Sequence, residues 1–136
     1  MGKRRKSREL ALQALYLSEF AELSASDALQ MLKERFEADR QAYGYARELV
    51  EGVVAHWEEI NDTITRHAVH WRMDRMSIID RNIMRVAIFE LFHKDDVPAT
   101  VAINEAIEVA KRFSTEEAGP FINGILDAVG RSVTAP

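Results

Sequence analysis

Five cations stand in the first eight residues, Lys3-Arg4-Arg5-Lys6 and Arg8, with no carboxylate among them. The net charge of the whole chain is −4, so the residues after this arm carry −9. A basic arm on an acidic body is the charge pattern of a protein that meets nucleic-acid phosphate, and the competing use of such a tail is solvation alone. Aromatic and amide side chains add to the signal: Tyr16 follows the arm on the same predicted helix, and Phe113 and Phe121 flank Ser114-Thr115-Glu116-Glu117, with Asn123 just beyond. Aromatic faces stack unpaired bases and an asparagine reads a base edge, so arm, rings and amide together suit single-stranded RNA. Each ring taken singly serves equally as core, and Asn123 as an ordinary surface residue.

Other chemistry is poorly supported. His67 and His70, with Asp74 nearby, are the best metal-like group among the four histidines, but HExxH and zinc-finger spacings are absent. No metal or other cofactor is expected. The neighbouring acids Glu58-Glu59 and Asp95-Asp96 would diverge by about 100° on a helix and cannot address one substrate. There is no glycine-rich phosphate loop and no cysteine, hence no thiolate chemistry and no disulfide framework. The expectation is a cytoplasmic protein that is not an enzyme, with no catalytic residue. Arg8, Glu9 and Gln13 interrupt the apolar segment after the arm, which therefore does not read as a signal peptide.

The 136 residues, 47% of them apolar, suit one domain with a core. Helical periodicity runs throughout, without a convincing strand, so the fold class is all-α with about seven helices. The central one opens at Ser77, with Asp80 three residues on as a capping-box variant. It is apolar on nearly every side to His93, with Ile79, Ile83, Val86, Ala87 and Leu91 as the main arc and Arg81, Asn82 and Arg85 as a polar strip. Glu90 falls inside the apolar arc, which predicts burial with a partner. The first helix covers about 5–21, and a second follows caps at Ser24 or Ser26 with Ala28, Leu29, Leu32 and Phe36 on one face. A third spans about 41–56 and a fourth about 58–70, with Asn61-Asp62 favouring a break between them. Trp71 to Met76 is a connector. Beyond Pro98 a helix to about 113 has Ala102, Ala106 and Ala110 as a small-residue ridge, with Asn104, Glu105, Glu108, Lys111 and Arg112 opposite and Glu108–Arg112 as an i,i+4 pair. In the last helix Phe121, Ile122, Ile125, Leu126, Ala128 and Val129 face inwards, and Gly124 is read as a gap for close approach.

Four blocks of this pattern resemble the NusB family of bacterial transcription antitermination factors. They are Arg8-Glu9-Leu10-Ala11-Leu12-Gln13-Ala14-Leu15-Tyr16 after a basic arm, and Asp80-Arg81-Asn82-Ile83-Met84-Arg85-Val86-Ala87-Ile88-Phe89-Glu90-Leu91. The third is Asp96-Val97-Pro98 with Ala102-Ile103-Asn104-Glu105-Ala106-Ile107-Glu108-Val109-Ala110-Lys111, and the fourth Phe121-Ile122-Asn123-Gly124-Ile125-Leu126-Asp127. The resemblance implies one NusB-like domain over 1–136, with helical subdomains of about 1–57 and 58–136. It implies binding to the boxA element of ribosomal RNA leader transcripts jointly with NusE, a small-subunit ribosomal protein, in an antitermination complex on RNA polymerase.

Carried over residue by residue, the RNA-facing positions fall on Lys3, Arg4, Arg5, Lys6, Arg8, Tyr16, Phe113, Glu117, Phe121 and Asn123, and a NusE-side contact on Asp80. The arm is Lys-Arg-Arg-Lys rather than an arginine run, and Pro120 replaces a more usual polar residue; both blur the individual RNA contacts. The related alternative is the NusB-like domain at the N-terminus of RNA cytosine methyltransferases, disfavoured because no cofactor-binding domain precedes Pro136. A purely protein-binding helical module is the third reading. Monomer and homodimer both remain open.

Overall fold

Ser24 and Ser77 illustrate how local chemistry sets the helices. The Asp27 N–H donates to Ser24 Oγ and the Asp80 N–H to Ser77 Oγ, each at 3.0 Å, and each bond satisfies a donor that a helix start would leave open. The computed structural model describes residues 2–36, 40–68 and 72–134, with the side chains of Phe36 and Thr134 outside that set. The helices are α1 (Gly2–Phe20), α2 (Ala25–Phe36), α3 (Arg40–Ala55), α4 (Trp57–His67), α5 (Ile78–His93), α6 (Ala99–Phe113) and α7 (Ala118–Thr134), with a single 3-10 turn at Met73–Arg75 before α5. No strand occurs among the described residues, and no helix is long and apolar enough to cross a membrane. The expected all-α class with seven helices is therefore what forms. His70 of the metal-like pair, and Trp71 at the start of the connector, lie outside the described residues.

The chain divides into two compact units, Met1–Ala55 and His56–Pro136. In the first, α1, α2 and α3 pack on one another through Ala11, Leu12, Leu15, Leu29, Leu49 and Val53, all buried. α1 begins three residues earlier than the periodicity predicts, so the basic arm is itself helical. In the second unit α5 meets α4, α6 and α7. It is buried continuously from Asn82 to Glu90, as an all-round apolar helix requires.

The predicted polar strip of α5 is internal, not solvent-facing. Asn82 is buried and Arg85 only 4% exposed. Arg85 donates from Nε to Asn61 Oδ1 at 2.9 Å and from a terminal nitrogen to Asn82 Oδ1 at 2.8 Å. Its guanidinium also lies 4.1 Å from the centre of the Trp57 ring. This lock ties α4 to α5 through Asn61, inside α4, and the chain breaks at His56, between the third and fourth helices as expected from the sequence. Arg85→Met should destabilise the second unit by about 2 kcal/mol, because the buried Asn82 and half-buried Asn61 amide oxygens lose their donor. A urea titration with an unshifted midpoint would mean that the lock contributes no net stability.

Glu90 is 1% exposed and not without a partner, as its place in the apolar arc demands. Three local expectations change. Glu105 is buried rather than on the outer face of α6, and Ala128 is exposed rather than inward. Gly124 meets open space; the closely packed glycine of α7 is Gly130, where an added Cβ would stand 3.4 Å from Ile103 Cδ1. Glu108 is paired with Lys111 at 2.9 Å, three residues away.

Candidate nucleic-acid interface

The arm occupies the first two turns of α1, and α3 holds it in place. Ser7 Oγ donates within a buried contact to the Ala42 carbonyl at 2.7 Å. Lys3 Nζ donates to Gln41 Oε1 at 2.7 Å, and the Arg4 guanidinium lies 4.2 Å from the Tyr45 ring centre. Lys3, Arg4 and Lys6 are exposed and Arg5 is half-buried. Arg8 is different: it is 5% exposed and stands 5.9 Å from the Tyr45 ring centre, so in this conformation it supports the arm from below. Cations at a helix start oppose the macrodipole. Here tertiary contacts with α3 hold them there despite that cost.

Tyr16 is half-buried and packs against Phe20, ring centres 4.9 Å apart, while Phe20 is 62% exposed. From Lys3 to Tyr16 the helix axis advances about 20 Å, and Tyr16 follows Arg5 by close to three whole turns. Arg5 and Tyr16 thus share one side of α1 but not one point. Phe20 is an aromatic neighbour that the sequence reading left out. It occupies the last position of α1, outside the apolar arc, where periodicity carries no signal.

In the second unit the α6–α7 connector carries the remaining positions. Phe113 and Phe121 are half-buried; Glu117 and Asn123 are exposed. The Arg112 guanidinium lies 5.2 Å from the Phe113 ring centre. Asn123 forms part of the wall of a cleft of about 590 Å³, with Asn104, Lys111, Thr115, Glu116 and Pro120 among the other lining residues. An amide, an ammonium group and a hydroxyl around one concavity can pair with base edges and with phosphate. Asn104 and Lys111 are additions to the predicted set, and their signal was available, since both fall on the outer face of α6. The connector carboxylate lining this cleft is Glu116 rather than Glu117.

Asp80, in the first turn of α5, is half-buried. Its Oδ1 accepts a hydrogen bond from Ser114 Oγ at 2.6 Å. The residue expected to face a protein partner is therefore tied to the connector expected to face RNA, next to Phe113.

The model of the NusB family matches residues 5–131. Transcription antitermination protein NusB of Myxococcus xanthus (strain DK1622) is 48% identical over 140 residues, covering both chains entirely. Among solved structures, T. maritima NusB superposes with a TM-score of 0.87 at 36% identity, over 94% of this chain and 90% of that one. A chain in a crystal structure of the antitermination factors NusB and NusE in complex with dsRNA gives a TM-score of 0.84 at 27% identity, over 97% of this chain and 98% of that one. A match through all seven helices, at this identity and over this length, shows that the chain belongs to the NusB family.

Proposed function

We propose that this chain is a non-enzymatic, RNA-binding transcription antitermination factor. It binds boxA-type RNA of ribosomal RNA leader transcripts together with NusE, within an antitermination complex on RNA polymerase. The observation that carries this reading is the helical arm: Lys3, Arg4 and Lys6 stand in solvent on a helix end pinned by Ser7 to Ala42. Phosphate is drawn to the arm, and half-buried Phe113 and Phe121 with exposed Asn123 offer stacking and base-edge contacts. The related chain in complex with NusE and dsRNA supports both partner classes. Asp80 and the acidic remainder of the chain are the surface for a positively charged ribosomal protein.

The test is binding of a labelled boxA-type single strand, and of a duplex of the same sequence, by fluorescence anisotropy with and without NusE. Affinity for the single strand should rise when NusE is present, and by linkage RNA should raise NusE affinity by the same factor. Absence of RNA binding under both conditions would overturn the reading in favour of a protein-binding module. A preference for the duplex would move the RNA class from single- to double-stranded.

A further inference from the structure

His56 stands in the break before α4, Glu59 in the first turn of α4, and His93 at the end of α5. The two imidazoles are stacked, with ring centres 3.8 Å apart and 19° between their planes. Glu59 Oε1 lies 2.8 Å from His93 Nε2 and 3.8 Å from His56 Nδ1. Phe89 backs the pair, its ring centre 6.1 Å from that of His56 and 5.5 Å from that of His93. Three ligand-type atoms, one per residue, thus lie within 4.8 Å of one another.

We propose that His56, Glu59 and His93 form a binding site for a divalent transition-metal ion. Imidazole nitrogen and carboxylate oxygen bind zinc at about 2.0–2.2 Å, which places the ligands of a tetrahedral ion about 3.3 Å from one another. The two observed separations from Glu59 bracket that value. The stacked rings aim their in-plane lone pairs side by side, so one imidazole must turn about its side-chain bonds to share an ion with the other. The side chains are 40%, 50% and 30% exposed for His56, Glu59 and His93, which leaves room on the solvent side for that rotation. Two imidazoles with one carboxylate suit zinc, nickel, copper or ferrous iron, whereas magnesium and calcium prefer all-oxygen sets. Water completes the coordination on the solvent side.

His67 is not in this cluster; its Nδ1 lies 2.9 Å from the Thr63 carbonyl oxygen within α4. The bound ion would fasten the start of α4 to the end of α5. Asp80 sits at the other end of α5, about 20 Å away along the axis. Within this unit the site thus lies at the opposite end of α5 from Asp80, the residue assigned to NusE.

The full chain should be titrated with Zn²⁺ by calorimetry and with Co²⁺ by visible absorption. One saturable site is expected. Glu59→Gln and His93→Ala should each weaken it at least about tenfold through loss of a ligand, while His67→Ala leaves it unchanged. Glu59→Gln is a near-isosteric change at an exposed position, and circular dichroism confirms that each variant is folded. Absence of saturable uptake would overturn the proposal, as would uptake that survives both Glu59→Gln and His93→Ala, or uptake that His67→Ala reduces equally.

Discussion

Replacing Arg4, Arg5 and Lys6 together by alanine is expected to weaken binding of boxA-type RNA about 100-fold near 0.1 M salt. The slope of log K against log salt should flatten by about 2, since each cation on a single-stranded phosphate contributes roughly 0.7. The variant is suitable because Arg4 and Lys6 are exposed and Arg5 half-buried on a helix end whose anchor, the Ser7 hydroxyl on the Ala42 carbonyl, is left in place. Arg4 gives up its contact with the buried Tyr45 ring, a cation–π pair with a solvent-exposed cation worth about 1 kcal/mol. Arg8 is left out because it is buried, and removing it would confound RNA contact with packing. An unchanged slope in a folded variant would remove the arm from the phosphate contacts and leave the α6–α7 connector as the whole electrostatic footprint.

The features legible from sequence are those whose physics is local. Ser77 and Asp80 lie three residues apart, so the cap of α5 could be read directly, and the bond from the Asp80 N–H to Ser77 Oγ is in place. The same holds for the 3.6-residue periodicity of α6 and the burial of Glu90. Features that depend on distant partners leave no such local mark. Arg85 finds the oxygen of Asn61, 24 residues away, which no short-range pattern announces. Gly124 looked like a close approach, yet space around a glycine is decided by the facing helix, and Ile103 faces Gly130. The metal-like reading settled on His67 and His70 because they are close in sequence. His93 joins Glu59 only through the packing of α4 on α5, 34 residues later. Asp80 and Ser114 are likewise 34 residues apart, so their bond left no trace in any local pattern.

That bond changes what a charge reversal should do. From sequence alone, Asp80→Lys is expected to abolish the acidic contact with NusE and spare RNA binding by the isolated protein. In the structure the Asp80 carboxylate accepts from Ser114 at 2.6 Å, a length typical of a charge-assisted O–H···O⁻ bond. Ser114 is also the residue after Phe113 in the connector. Asp80→Lys therefore removes the anion, puts a cation at the positive end of α5 against the macrodipole, and releases the connector. NusE affinity should fall about 100-fold, within the range for losing one member of a buried interfacial charge pair. RNA affinity of the isolated protein should also fall, by a few-fold. Two further substitutions separate these effects. Ser114→Ala breaks the same bond while keeping the carboxylate, so it should reproduce the RNA defect and retain most NusE binding. Asp80→Asn keeps an acceptor for Ser114 while removing the charge, so it should reproduce the NusE defect and spare RNA. Measuring both ligands on all three variants decides the point: if Ser114→Ala leaves RNA binding at its original value, the bond does not couple the partner-facing end of α5 to the RNA-facing connector, and the two surfaces act independently.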